Sequence, residues 1–312
     1  MPEAQGVLAP LTESALFLTL TIGPGGETAV HELLPDLAGM VRSVGFPLPE
    51  EDLTCVLGIG SAAWDRLFTG PRPARLHPFR AIDGARHHAP ATPGDVFLHI
   101  RAKRLYPCFE LARRVAGALG AAVSVVDEVV GFRYFDRRDL LGFVDGTENP
   151  TGDTASAAVL VADEDPRFTG GSYLIVQKYL HDLDKWHAMP VEARDHAVGR
   201  RMVDDVELAD DVKPGDSHVA LTTIEDEDGT ERKILRDNMP FGSIARGEYG
   251  TFFAGYAADP AVTEQMLTRM FLGEPAGHTD RILEVSTAIT GGLFFVPPAD
   301  FLDDPPACPA RL

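Results

Sequence analysis

Apolar and polar positions in the first half of the chain change period several times, which predicts strands interleaved with helices. Residues 15–22 alternate apolar side chains with threonine, as a half-buried strand does. Residues 27–44 instead place apolar side chains at helical spacing, with Pro35 as a point where the helix can bend. The same patterns predict strands at 53–60, 95–101 and 121–132, a short helix at 61–68 and a helix at 105–119. Without the short helix the order is βαββαβ, which is the ferredoxin-like arrangement.

The second half of the chain repeats this order. The patterns predict strands at 172–179, 251–257 and 292–296, helices at 181–198 and 261–271, and a hairpin of strands 218–224 and 233–238 around an acidic turn. The segment that begins at Val96 resembles the one that begins at Phe252, so the halves look like copies of one unit. We therefore predict an α+β fold of two ferredoxin-like βαββαβ halves, of the dimeric α+β barrel type, with antiparallel sheets and helices packed outside.

The boundary between the halves is expected in the segment 133–165, which is rich in aspartate, glycine and proline. We divide the chain into an N-terminal half, residues 1–140, and a C-terminal half, residues 141–312. The tail 297–312 is rich in proline and acidic residues, and it is expected to lie on the surface as an arm.

Composition narrows the classes of function. The chain has 312 residues and a net charge of −19, which disfavours binding to nucleic acid or to an anionic membrane. There is no signal peptide and no apolar run long enough to span a bilayer, so a cytoplasmic location is expected. The three cysteines, Cys55, Cys108 and Cys308, include no CxxC spacing, which disfavours a disulfide framework, a zinc ribbon and a covalent c-type haem.

The densest chemical cluster runs from Gly142 to Gly152 and reads GFVDGTENPTG. Its turn dipeptides are typical of a loop, and a loop is the simplest interpretation. Gly142 and Gly146 would also let the backbone approach a flat ligand, and Phe143 makes the surroundings apolar. A partly desolvated Asp145 would have a raised pKa and could shuttle a proton.

His218 and Arg236 are further candidates because of their places in the predicted hairpin. His218 opens the first strand, although a lone strand histidine is as readily explained by a structural role. If the turn has an even number of residues, Arg236 and Asn238 point to the face opposite His218. The two groups could then flank the two sides of a planar cofactor, whereas an odd turn would reverse this.

These motifs resemble the dye-decolorizing peroxidases. Gly142-x-x-Asp145-Gly146 followed by Thr-Glu-Asn-Pro, a later Ser-His, and Arg236-x-Asn-Met-Pro-x-Gly look like that family in the same order, and most like its B subfamily. The resemblance covers nearly the whole chain. It implies non-covalent haem b in the second of two ferredoxin-like halves.

The resemblance also implies roles for individual residues. His218 would be the axial ligand of the haem iron, Asp145 the acid–base group beside the peroxide, Arg236 the cation beside it, and Asn238 a further polar group. Haem contacts would come from Arg200, which is expected to pair with a propionate, and from Gly146, Thr147, Glu148 and Arg236. Glu231 would hydrogen-bond the far nitrogen of His218, with Asp216 and other nearby carboxylates as competing candidates.

The implied activity is reduction of hydrogen peroxide through a ferryl intermediate, with two one-electron donations from a small reducing substrate such as a dye or a phenol. Self-association into a homo-oligomer is expected. Some relatives are loaded into encapsulin shells, but no clear loading motif is present in the tail. Two alternatives stay open, namely a haem-handling protein of the same fold with little turnover and a haem-free metal-dependent hydrolase built on Asp145, Glu148 and a histidine.

Overall fold

The computed structural model describes residues 3–311 of the chain. The strands are β1 (Ser14–Ile22), β2 (Thr54–Gly60), β3 (Ile82–Asp83), β4 (His88–Ala89), β5 (Val96–Ala102), β6 (Val123–Phe132), β7 (Ser172–His181), β8 (Ile224–Glu225), β9 (Glu231–Arg232), β10 (Leu235–Arg236), β11 (Met239–Ser243), β12 (Glu248–Ala257), β13 (Ser286–Ala288) and β14 (Gly292–Val296). The helices are α1 (Glu27–Gly45), α2 (Ser61–Leu67), α3 (Leu105–Leu119), α4 (Gly152–Val159), α5 (Leu183–Ala188), α6 (Val191–Val198), α7 (His218–Thr222), α8 (Pro260–Leu272) and α9 (Ala299–Asp303). Between residues 3 and 311, no helix has both the length and the apolar character needed to cross a bilayer.

One antiparallel sheet runs through both halves in the order β10-β12-β7-β14-β2-β5-β1-β6, with β11 paired to β12 and β13 paired to β7. Each half contributes four strands, β2-β5-β1-β6 in the N-terminal half and β10-β12-β7-β14 in the C-terminal half. Numbered along the chain within each half, both sets have the order 2-3-1-4, which is the ferredoxin-like order. The halves join where β14 pairs with β2, with Phe294 opposite Gly60 and Phe295 opposite Ile59. The predicted α+β fold with two ferredoxin-like halves is confirmed.

Alternating side chains give the sheet two different faces. On β1, Leu16, Leu18 and Leu20 pack on the outer face beneath the helices, while Phe17 points to the inner face. The sheet curls until β6 packs against β11. At that contact a Cβ added to Gly131 would lie 2.5 Å from Cβ of Met239, so this glycine permits the close approach. The inner face therefore encloses a second, mostly apolar core.

The predicted strand at 218–224 is wrong. His218–Thr222 forms the short helix α7, and the hydroxyl of Ser217 caps it by accepting from the backbone N–H of Ala220 at 3.4 Å. A serine directly before a short apolar run is a helix-starting signal that outweighs the weak strand pattern. The hairpin shrinks to β8 and β9, with Ile224 opposite Arg232, and β10 pairs with β12 instead.

The tail is not a surface arm. It forms α9, and the buried side chains of Leu302 and Cys308 pack against the N-terminal half. Phe301 stacks on Trp64 at 5.3 Å between ring centroids, and the backbone N–H of Thr69 donates to the carbonyl of Ala307 at 2.9 Å. The proline-rich composition of the tail did not predict a helix. The apolar residues of the tail nevertheless cover the aromatic side chains of Trp64 and Phe68.

A buried ion pair crosses the inner core. The guanidinium of Arg101, on β5, contacts the carboxylate of Asp237 and the carbonyl of Gly6. Arg101 is 0% exposed and Asp237 is 1% exposed. Charges removed from water to this extent need a partner, because an isolated buried charge costs several kcal/mol. The pair therefore fixes the position of the segment between β10 and β11 relative to the N-terminal half.

We predict that Arg101→Met lowers the free energy of unfolding by about 3–5 kcal/mol, because it leaves Asp237 buried without its partner. Urea denaturation measures the change. Arg113→Met is the matched control, since the side chain of Arg113 is 62% exposed, its partner Glu110 is also accessible to solvent, and the loss of this pair should change little. Equal denaturation curves for the two variants would contradict the structural role of the pair.

Candidate functional site

A large cavity lies on the outer face of the C-terminal half. Its empty volume is about 1410 Å³, part of it open to solvent. Strands β7 and β12 form its floor, and α7, α8 and the loop after β6 form its walls. The apolar lining is Leu141, Phe143, Val144, Val198, Val219, Ile234, Phe253, Met266, Leu267, Met270 and Ile282. The corresponding face of the N-terminal half is instead covered by α1 and α3 and filled with packed side chains.

One wall of the cavity carries His218 at the start of α7. Its Nδ1–H donates to Oδ2 of Asp280 at 2.7 Å, and Asp280 is 0% exposed. The other oxygen of Asp280 accepts from the backbone N–H of Ile282 at 2.9 Å, so the carboxylate is held from both sides. Within residues 3–311 no hydrogen bond engages Nε2 of His218. This nitrogen is consequently available as a ligand in the cavity.

Asp280, and not Glu231, is therefore the carboxylate behind His218. Glu231 lies in β9 and forms an ion pair with Lys233 at 3.0 Å. The competing candidate Asp216 pairs with Arg281 at 2.6 Å. The sequence gives no local signal for this contact, because Asp280 is 62 residues from His218 along the chain.

His181 lies on the floor of the cavity, at the end of β7. Its ring nitrogens are hydrogen-bonded to the hydroxyls of Thr251 at 3.0 Å and Ser286 at 2.8 Å. Burial lowers the pKa of His181 to about 4, so this histidine is neutral at physiological pH. Both nitrogens are occupied, which distinguishes His181 from His218.

The opposite wall is the loop after β6, which delivers Asp145 to the cavity. Tyr134 and Arg138 form an isolated β-bridge that closes a tight turn. Arg137 lies inside the turn with a left-handed φ of 67°, and its carbonyl accepts from the backbone N–H of Asp145 at 2.9 Å. A positive φ is costly for arginine and needs such compensating contacts. Gly146 follows Asp145 with φ of 79°, a conformation that glycine adopts without cost.

Asn149 clamps this loop to β10. Its side-chain amide donates to the carbonyl of Arg236 at 2.7 Å, and its side-chain oxygen accepts from the backbone N–H of Arg236 at 2.9 Å. Arg236 and Asn238 both line the cavity, while Asp237 between them is buried in the inner core. Nε of Arg236 is buried without a hydrogen-bond partner in the part of the chain that the structure describes. Asn238 accepts from the backbone N–H of Ala254 at 3.1 Å.

Asp139 is a second carboxyl group on this wall, and no motif in the sequence distinguishes it from the other aspartates of the loop. Burial raises the pKa of Asp139 to about 7, and the neighbouring charge of Asp145 adds to the increase. The backbone N–H of Phe143 donates to its carboxylate at 3.0 Å, which opposes the increase only in part. Asp139 can therefore hold a proton beside Asp145 near neutral pH.

Charged residues form the rim of the cavity. Glu148 contacts the guanidinium of Arg200 and lies 3.4 Å from Nζ of Lys233. Arg200 also donates to the carbonyl of Asp205 at 2.6 Å and is only 8% exposed. Next to Glu148, the hydroxyl of Thr147 donates to the carboxylate of Asp205 at 2.7 Å. The structure thus places Arg200, Thr147 and Glu148 together at the cavity, and Gly146 also lines it.

The structure brings all of the predicted site residues to one cavity, including Glu231, which lines it without contacting His218. His218 lies on the α7 wall, and Asp145, Arg236 and Asn238 lie on the loop and β10 wall. The sequence predicted that one hairpin would place His218 and Arg236 on two sides of a planar cofactor. In the structure His218 instead lies on helix α7, and Arg236 lies on the separate strand β10. Between residues 3 and 311, no group of three or more His, Cys, Asp or Glu side chains is arranged to hold a metal ion.

Comparison with known proteins supports one family along the chain. Residues 4–133 match the family model described as Dyp-type peroxidase, N-terminal, and residues 136–301 match Dyp-type peroxidase, C-terminal. A dye-decolorizing peroxidase of Rhodococcus erythropolis is 59% identical over 308 residues, which cover 99% of this chain and 90% of that protein. The dye-decolorizing peroxidase of Mycobacterium tuberculosis is 58% identical over 305 residues, which cover 98% of this chain and 91% of the relative.

Solved structures show the same similarity. A cryo-EM structure of the encapsulated DyP-type peroxidase from Mycobacterium smegmatis superposes with a TM-score of 0.98 at 59% identity, covering 99% of this chain and 100% of that one. A variant of DypB from Rhodococcus jostii RHA1 in complex with heme superposes with a TM-score of 0.95 at 53% identity, covering 96% and 98% of the two chains.

We predict that Asp139→Asn stabilises the protein at pH 8 and has little effect at pH 4. The raised pKa means that the folded state binds this proton more tightly than the unfolded state does, so the native carboxyl costs stability as pH rises from about 4 to about 7. Each unit of pKa corresponds to about 1.4 kcal/mol, so the gain at pH 8 should reach a few kcal/mol.

Thermal unfolding at both pH values measures this effect. Asp136→Asn is the control, because the guanidinium of Arg138 lowers the pKa of Asp136 and the exposed pair should contribute little. A stabilisation by Asp139→Asn that is equal at pH 4 and pH 8 would show that the carboxyl does not titrate in this range.

Proposed function

The chain belongs to the Dyp-type peroxidase family, and from this membership we propose that it is a haem peroxidase that uses His218, Asp145 and Arg236. One observation carries the assignment of residues. A histidine with a free Nε2 and a buried carboxylate behind it faces the same cavity as a carboxyl group and an arginine whose Nε has no partner in the described chain. A protein that only carries haem needs no such acid–base pair beside the cofactor.

The residues of the cavity fit haem b. His218 would hold the iron through Nε2, because Asp280 occupies Nδ1 and so fixes the orientation of the ring. The apolar lining suits the faces of the macrocycle. At the rim, Arg200 and Lys233 supply cations for the propionates, and both are paired with Glu148 in the protein alone. We place the haem in the predicted C-terminal half, residues 141–312, which supplies all of these groups.

The chain's own residues then handle the peroxide. When bound, the haem supplies the iron on which peroxide is cleaved and the electrons for that cleavage. Asp145 would take a proton from one oxygen of the peroxide and return it to the other oxygen as the O–O bond breaks. Arg236 stabilises the negative charge that develops on the leaving oxygen, and it stays charged at every relevant pH. Asn149 positions Arg236 through two backbone hydrogen bonds, and Asp139 holds a proton close to Asp145.

The proposal includes partners and location. Hydrogen peroxide and a small one-electron donor are the substrates, and the donor is a dye, a phenol or a compound of similar chemistry. We also propose a homo-oligomer in the cytoplasm. Association with an encapsulin shell is proposed on the likeness to the encapsulated relative alone.

The visible spectrum of the purified, haem-loaded protein tests this function. We expect the Soret band to shift at once after one equivalent of hydrogen peroxide. We expect His218→Ala to lose or alter the band, because the variant lacks the histidine proposed to hold the iron. His187→Ala, a change at an exposed histidine of α5, is the control and should behave like the wild type. A Soret band that peroxide does not move would favour the haem-handling alternative, and failure to take up haem would refute both functions.

We predict that Arg236→Leu slows the reaction with peroxide more than Asp145→Ala does. Water can relay the proton when Asp145 is absent. The other cations of the described cavity lining, Arg200, Arg232 and Lys233, are each paired with a carboxylate and therefore do not replace the charge of Arg236. Stopped-flow absorption of the Soret band after mixing with peroxide gives both rates. Arg246→Leu, at a residue whose side chain is 69% exposed, controls for loss of a positive charge alone. Comparable rates for Arg236→Leu and Asp145→Ala would remove this assignment.

A further inference from the structure

The inner core holds a polar cluster that the peroxide chemistry does not use. His99, Arg101, Asp237 and Tyr256 are each 0–1% exposed and lie among apolar side chains. Buried polar groups are costly unless they are paired, so their presence in this core requires an explanation. The Arg101–Asp237 pair anchors the segment that carries Arg236. That anchoring leaves the tyrosine and the histidine without a role.

Tyr256 and His99 form a hydrogen-bonded pair. The phenolic oxygen of Tyr256 lies 2.9 Å from Nδ1 of His99. On the other side of the ring, Nε2 of His99 faces Oδ2 of Asp237 at 3.8 Å. A proton on Nε2 is favoured by the facing carboxylate, so Nδ1 is the acceptor and Tyr256 is the donor. Burial, with a smaller contribution from Arg101, keeps the pKa of His99 well below its usual range, so the ring starts neutral.

This arrangement prepares Tyr256 to lose an electron. Burial raises the pKa of Tyr256, so the phenol keeps its proton in the resting protein. Removal of one electron makes a phenol strongly acidic, and a basic nitrogen at 2.9 Å can take the released proton. The resulting imidazolium would face the carboxylate of Asp237, which favours the charged form. The proton therefore moves within the cluster and needs no path to solvent.

The cluster lies one layer of protein away from the cavity. On β12, Phe253 lines the cavity, whereas Tyr256 faces the inner core. Tyr256 is directly opposite Leu235, and its neighbour Gly255 is opposite Arg236. Aromatic rings continue from the cluster, with Phe17 4.5 Å from the ring of His99 and 4.2 Å from Phe252. Electron exchange between the cavity and Tyr256 thus has to cross only the strands of one sheet.

We propose that Tyr256 is an internal electron donor: after peroxide has been reduced in the absence of an external reductant, Tyr256 gives one electron to the oxidised cofactor and passes its phenolic proton to Nδ1 of His99. The step consumes one of the two oxidising equivalents that peroxide introduces, and it leaves a neutral tyrosyl radical and an imidazolium. An external one-electron donor then reduces the tyrosyl radical, the proton returns from His99 to the phenolic oxygen, and the oxidising equivalent held by Tyr256 is consumed. The inference rests on the proposed peroxidase function.

Rapid-freeze electron paramagnetic resonance of the haem-loaded protein tests this step. One equivalent of peroxide is added without a reducing substrate, and the protein carries either ordinary or ring-deuterated tyrosine. We expect an organic radical signal that narrows with deuterated tyrosine and is lost in Tyr256→Phe. Tyr173→Phe is the matched control, because Tyr173 is also buried on the neighbouring strand β7, but its hydroxyl accepts from the backbone N–H of Arg75 at 3.0 Å and has no histidine partner. Its signal should persist.

The role of His99 has a separate readout. His99→Gln keeps a hydrogen-bond acceptor but cannot take the proton, so the tyrosyl signal should be lost although Tyr256 is present. Circular dichroism checks that each variant keeps its fold. A radical signal that survives Tyr256→Phe, or that ring deuteration does not change, would overturn the inference. A wild-type Soret band that peroxide does not move would instead refute the peroxidase function itself.

Discussion

The buried ion pair between Arg101 and Asp237 is the contact on which the site depends. Neighbouring residues of an extended segment point to opposite faces, so anchoring Asp237 in the inner core turns Arg236 and Asn238 toward the cavity. The pair spans the two halves of the chain, because Arg101 belongs to the N-terminal half. Arg101 makes none of the proposed cofactor contacts. Through Asp237 it nevertheless determines that the side chain of Arg236 points into the cavity.

The two walls of the cavity are positioned by different local devices. His218 is placed by a helix start, where Ser217 caps α7, and by the hydrogen bond to Asp280. Asp145 is placed by a strained turn whose carbonyl at Arg137 holds its backbone. The side chain of Asn149 then connects the loop that carries Asp145 to β10, the strand that carries Arg236. His218 is therefore held by one set of contacts, and Asp145 and Arg236 are held by another.

Burial also sets the protonation of groups near the cavity. The pKa of His181 is lowered and that of Asp139 is raised by the same cause, removal of the charged form from water. His99 stays neutral in the inner core for this reason as well. Beside these uncharged groups, the guanidinium of Arg236 supplies positive charge on the wall of the cavity. Such an environment suits chemistry in which protons and electrons move together.

The sequence by itself determined the order of most elements, the repeated ferredoxin-like unit and the family, and it singled out His218, Asp145, Arg236 and Asn238 as candidates, because period and motif are local properties of the chain. The predicted strand at 218–224 was wrong. A short apolar run has no decisive period, and Ser217 in fact caps a helix there. The sequence could not identify Asp280 behind His218, the clamp by Asn149 or the raised pKa of Asp139. These depend on contacts between distant segments and on exclusion from water, which only the tertiary structure decides.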